Sequence, residues 1–215
     1  MTQGPLNLRG LSTSLSLLSR ADGSARFGFG DTRAIAGVFG PVEDLKGKEQ
    51  LEAARVAVTV AALSGAESPS ERRTEENLSR ILSAVVDTTR FPRTLIKVSL
   101  QPTSDDAGLF AAEVNASVLA LVDAGLPLRA LVAAVQVASD LNGNLFLDPT
   151  AKQLEAATST HTFVFDNADD SVLIDVLSEG VYSEKLFKDA RTVAKEACKA
   201  IHAFYRQALE QKLLQ

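Results

Sequence analysis

The chain has 215 residues, 46% hydrophobic and 23% charged, with no tryptophan and few aromatics, so its core must be Val, Leu, Ile and Ala within one large domain or two small intimate modules. A net charge of −5, from 22 Lys plus Arg against 27 Asp plus Glu, argues against strong autonomous nucleic-acid binding but allows a small basic patch inside an assembly. The single Cys198 excludes an internal disulfide and a multi-cysteine zinc site and points to a reducing compartment, no apolar run is long enough for a membrane span, and no secretory signal is read at the N-terminus despite Arg9 and Arg20.

In chain order, two β-like runs, Ala25–Phe29 and Arg33–Phe39, flank Gly30-Asp31 and predict a hairpin. A phosphate-binding glycine loop is the rival reading, but no helix pattern follows it. Arg55–Ala61 is β-branched and reads as a strand, and Ser64–Ser70 is a loop. Leu78, Ile81, Leu82, Val85 and Val86 give the spacing of an amphipathic helix over Glu71–Thr89, with Pro92 as its stop. Thr94–Leu100 alternates as a strand. Phe110–Ala124 is apolar on most sides and reads as a buried helix, with Gly125 as its cap.

Leu131–Ala138 and Leu145–Leu147 are strands joined through Asn142-Gly143, a type I′ hairpin signal. Thr158–Phe165 and Ser171–Leu177 suggest a second hairpin with an acidic tip at 166–170. Ser183 is a candidate N-cap for a long helix to Leu213, with Leu186, Ala190, Val193, Ala197, Ile201, Phe204 and Ala208 as its apolar stripe. The order predicts an α+β fold of mixed sheets with packed helices: one domain over 1–215 made of two modules, about 1–127 and 128–215.

One segment carries the chemistry. Asp105-Asp106-Ala107-Gly108-Leu109-Phe110 leads into the buried helix with the shape of an anion-binding loop, where free N–H groups and the helix dipole favour negative charge. Leu109 and Phe110 stand where a hydroxyl and a cation would serve an anion.

Three stretches, Phe91-Pro92-Arg93, Ala120 to Arg129 (ALVDAGLPLR) and Leu147-Asp148-Pro149-Thr150, resemble the RNase PH family of phosphorolytic exoribonucleases and RNA exosome ring subunits. Asp22-Gly23-Ser24, Gly30-Asp31-Thr32 and Val38-Phe39-Gly40-Pro41 fit the same pattern. The resemblance implies a ribosomal protein S5 domain 2-like fold. It also implies a six-membered ring with related subunits, a cap subunit bearing S1 and KH modules, and RNA passing through a shared pore. The implied location is the nucleus and nucleolus, and also the cytoplasm.

Active members of the family carry Asp-Gly-Gly-Thr-Arg before the buried helix, and the matching positions here are Asp106, Ala107, Gly108, Leu109 and Phe110. A benzyl group cannot pair a buried phosphate. The family's general acid falls on Leu154, with a later acidic position on Thr160, and leucine transfers no proton at any pH. Glu155 is one residue away, and a one-residue step re-aims it. The expectation is an inactive relative without catalytic residues, cofactor or metal. An active phosphorolytic exoribonuclease with a rearranged site is the alternative.

By the same resemblance Arg72, Arg73, Arg80, Arg90 and Arg93 are candidates to touch RNA in the pore; otherwise they are solvated or paired with neighbouring glutamates. His161 and His202 have no ligand-spaced partner and read as packing residues, as does Cys198. Asp140–Asn144 lacks the terminal glutamate of a calcium loop and reads as the hairpin turn.

Overall fold

The computed structural model describes residues 7–44, 51–63, 69–167 and 172–214. The expected Ser64–Ser70 loop and the acidic hairpin tip lie partly outside them. Two sheets face each other across one helix. The first has the order β1 (Leu11–Leu15), β2 (Gly23–Phe29), β3 (Thr32–Glu43), β5 (Thr94–Ser104), β4 (Arg55–Val60), all antiparallel except the β4–β5 pair. The second is antiparallel throughout, in the order β7 (Leu145–Leu147), β6 (Val132–Ser139), β8 (Ser159–Asp166), β9 (Leu173–Gly180). The helices are α1 (Pro69–Val85), α2 (Leu109–Asp123), α3 (Ala151–Glu155) and α4 (Glu184–Leu213).

Helix α2 lies between the sheets, and its residues Ala111 through Leu121 are all buried. A helix apolar all round suits that position. The Asn115 side chain accepts from Ala134 N (2.8 Å) and donates to Ala134 O (2.9 Å), fixing α2 to β6. At its C-terminus Gly125 N donates to Val122 O and Leu126 N to Leu121 O, the reciprocal pair that closes a helix through a left-handed residue, here Gly125 at φ 70°.

The hairpin over Gly30-Asp31 forms as expected, with Phe29 opposite Thr32. Several expected boundaries move. Helix α1 ends at Val85, well before Pro92, because Val86 leaves it to bridge Leu128, Asp87 N donates to Pro127 O and Arg129 N to Val85 O. Pairing with residues 127–129, not proline, stops the helix. The β6–β7 connection is not a two-residue type I′ turn. It is a five-residue loop, Asp140–Asn144, in which Asp140 Oδ1 accepts from Asn142 N and Asn144 N. On α4 the buried face is Ala190, Ala194, Ala197, Cys198, Ile201 and Tyr205, rotated from the expected stripe because the helix covers β6 and β8 and also reaches β1. Ser183 caps α4 as expected, its Oγ accepting from Leu186 N at 3.3 Å.

Candidate functional site

The loop before α2 is held in an unusual backbone conformation. Ala107 (φ 67°) and Gly108 (φ 77°) are both left-handed, and Gly108 caps α2 without a side-chain hydrogen bond. The first-turn N–H groups of a helix have no intrahelical acceptor, so the anion-seeking end expected from the sequence is present. What surrounds it has the opposite charge preference. Arg9, which precedes β1, crosses to the loop and is consumed there. Its Nε and Nη2 form a fork on Asp148 Oδ2 and Oδ1 (2.9 and 2.6 Å), Nη1 donates to Asp106 O (2.8 Å), and Nη2 donates to Ala107 O (3.1 Å). Thr32 Oγ1 donates to Ala107 O (2.6 Å) and accepts from Asp106 N (2.9 Å), while Asp106 Oδ1 accepts from Ala151 N (3.1 Å) at the start of α3.

Leu109 and Phe110 are half-buried, not core residues. With Val60, Pro102, Asp105 and Glu113 they line a cavity of about 300 Å³ between the end of β4, the start of α1 and the start of α2. Glu113 is 2% exposed, and burial beside Asp105 and Glu71 raises its pKa to about 8. Neither Leu154 nor Thr160 lines this cavity. Leu154 is half-buried in α3, Glu155 is exposed at the end of that helix, and Thr160 is half-buried on β8 opposite Glu179 of β9.

All five candidate arginines are exposed. Three have acidic partners: Arg73 with Glu179 (3.8 Å), Arg80 with Asp175 (2.8 Å) and Arg90 with Asp87 (2.8 Å). The pairs of Arg73 and Arg80 reach across to β9 rather than to the neighbouring glutamates of α1. Arg72 and Arg93 form no ion pair among the described residues.

The remaining candidates are structural. His161 is fully buried, its ring nitrogens engaged by Ser159 (3.2 Å) and Ser178 (2.9 Å) and its ring edge-on to Tyr182; burial lowers its pKa. His202 is half-buried in α4 beside Tyr205. Cys198 is buried, donates to Ala133 O, and has its thiol pushed up to about 12 by desolvation, so it is no nucleophile. The described residues contain no cluster of three or more His, Cys, Asp or Glu able to hold a metal, and no helix among them is long and apolar enough to cross a membrane. Arg9 is the residue that sequence reasoning missed. The only signal was two aspartates, Asp106 and Asp148, at a loop expected to attract anions, and their distant counter-charge cannot be located without the fold.

The mixed α/β architecture of two sheets sharing one buried helix makes an RNase PH-like fold. The chain belongs to the 3′ exoribonuclease family: domain 1 of that family matches residues 7–127 and domain 2 matches residues 130–197. Among curated relatives it is 36% identical over 169 residues to the "Exosome complex exonuclease RRP46 homolog" of Arabidopsis thaliana, covering 79% of this chain and 71% of that one. It is 29% identical to the "Exosome complex component Rrp41" of Thermococcus gammatolerans, covering 96% and 86%. The crystal structure of rice (Oryza sativa) Rrp46 superposes with a TM-score of 0.90 at 31% identity, covering 96% of this chain and 98% of that one.

Proposed function

We propose that this chain is a non-catalytic structural subunit of an RNA exosome core ring. In that role it joins other RNase PH-like subunits in a six-membered ring and seats a cap subunit with S1 and KH modules. It helps thread RNA toward nucleases supplied by other chains, for 3′–5′ processing and degradation that includes ribosomal RNA, in the nucleus, nucleolus and cytoplasm. The kinship with RRP46 and Rrp41 proteins supports the assembly. The observation that carries the lack of catalysis is the loop at α2: Leu109 and Phe110 offer an incoming phosphate hydrocarbon, and the nearby Arg9 guanidinium is already satisfied by Asp106, Ala107 and Asp148. Catalysis requires groups that bind the transition state better than the substrate, and neither leucine nor phenylalanine does so for a developing phosphate charge. Arg72 and Arg93 are the preferred RNA contacts, because Arg73, Arg80 and Arg90 already have carboxylate partners.

Purified protein incubated with RNA and inorganic phosphate should release no nucleoside diphosphate above a no-enzyme control. The second reading, an active phosphorolytic exoribonuclease with a rearranged site, is favoured by the word exonuclease in the name of the Arabidopsis relative. Phosphate-dependent release that disappears in Glu155→Ala would establish it, Glu155 being the exposed carboxylate that follows Leu154 in the sequence.

A further inference from the structure

Among the described residues, no core side chain fills the cavity at Leu109 and Phe110. It remains an open cleft of about 300 Å³, room for one long side chain, with apolar walls from Val60, Pro102, Leu109 and Phe110. Its charged lining is acidic, from Glu113, Asp105 and Glu71, beside the hydroxyl residues Ser70 and Thr74. Glu113 is 2% exposed, and no described residue gives its carboxyl a hydrogen bond or an ion pair. Ionising a carboxyl buried this far is costly, and a cation brought against it offsets that cost. The same loop shows its affinity for a guanidinium on its other side, where Arg9 sits on Asp148, Asp106 O and Ala107 O at 2.6–3.1 Å.

We infer that this cleft is a receptor for an arginine side chain of a protein partner, with the guanidinium against Phe110 and paired with Glu113 and Asp105. Arginine fits better than lysine. Its planar group is weakly hydrated, stacks on an aromatic face and forms forked bonds to carboxylates, whereas an ammonium would have to surrender a tight hydration shell to apolar walls. A phosphate or an RNA backbone finds no cation among the described residues that line the cleft, and the exposed Asp105 carboxylate disfavours it. The inference rests on the non-catalytic reading, since it places a protein side chain where a nuclease would hold phosphate.

The probe is a single capped arginine, N-acetyl-arginine methylamide, titrated into the isotope-labelled full chain at pH 7. The Leu109 and Phe110 amides and the Glu113 carboxyl carbon are followed by NMR. Saturable shifts at millimolar concentration are expected, weaker with capped lysine and absent with capped glutamate. Because an ion pair favours ionised Glu113, binding should release up to about one proton, read by calorimetry in buffers of different ionisation enthalpy. Glu113→Gln should abolish the proton release and weaken binding about tenfold, and Asp105→Asn, at an exposed position that cannot disturb the fold, about threefold. No shift with arginine, or shifts undiminished in both variants, overturns the inference. Orthophosphate is titrated in parallel with the RNA phosphorolysis assay. Arginine binding together with phosphorolysis would sink the non-catalytic reading and leave the receptor standing. Silence in both assays would sink the receptor and leave the non-catalytic reading intact.

Discussion

The Asp148 side chain is 2% exposed, and its carboxylate accepts three hydrogen bonds from Arg9: from the backbone N at 3.1 Å, Nε at 2.9 Å and Nη2 at 2.6 Å. Removing one member of a buried pair strands the other, which is far worse than removing both. Arg9→Met is therefore expected to destabilise the chain by about 3–5 kcal/mol in urea titration, whereas Arg33→Met, whose contact to Asp31 is exposed and 3.9 Å long, should change it by less than ~0.5 kcal/mol. Glu113 makes a second prediction through its proton. Its folded pKa of about 8 lies above its unfolded value, so between the two the folded chain binds more protons. The associated stability is complete below the unfolded value and is lost as pH rises through about 8. Urea midpoints should thus fall between pH 5 and pH 8.5, by a stability on the order of a few kcal/mol. Glu113→Gln should flatten that slope, leaving the variant more stable than the parent at the alkaline end and indistinguishable from it near pH 5.

At the scale of elements, the contact between β2 and the end of α2 is made backbone to backbone at Gly23. A Cβ there would lie 2.2 Å from Ala124 N and 2.5 Å from Ala120 O, neither of which can rotate away. Gly23→Ala should lower stability by at least ~2 kcal/mol, measured as a drop in thermal midpoint, because strand and helix must separate to admit a methyl group. Edge strand β4 is protected by α1, whose side chains satisfy its backbone: Glu75 Oε1 accepts from Val60 N and Ser79 Oγ donates to Val56 O, both at 2.8 Å. How much of this was legible follows from what each element depends on. Helix α2 and the Gly30-Asp31 hairpin were readable because local chemistry decides them: unbroken apolarity in one, a turn pair between alternating strands in the other. The end of α1 was not, because a bridge from Val86 to Leu128 decides it. Strand β1 and the short helix α3 were missed because neither has a strong periodicity; β1 exists by pairing with β2, while α3 begins at a capping box of Thr150 and Gln153, a local signal that was overlooked. At the site, the apolar pair Leu109-Phe110 at the start of α2 was legible in the sequence, while the Arg9 clasp and the buried Glu113 needed the tertiary neighbours.

On the scale of the whole molecule, the two stretches of about 1–127 and 128–215 share helix α2. The helix belongs to the first stretch by sequence, yet packs on β6 and β8 of the second as well as on β2 and β3. Asp123 at its end adds a polar tie. Despite the cost of burial, which acts to raise it, its pKa is held below the ordinary carboxylate range by hydrogen bonds from Lys212 of α4, Ser24 N and Ser16 Oγ. Each half alone would leave one face of a helix or sheet made of Val, Ala and Leu in water. The full chain is therefore expected to unfold in one step. Tyr182 and Tyr205, the only tyrosines in a chain without tryptophan, both report from the second half, so their fluorescence and the far-UV signal of the entire chain should give coincident transitions. A fragment ending at residue 127 should show collapsed amide dispersion and no cooperative melt, since it exposes the α2 face that covers β6. A well-dispersed spectrum from that fragment, or two separated transitions in the full chain, would mean that the halves are joined domains rather than two sheets sharing one core helix.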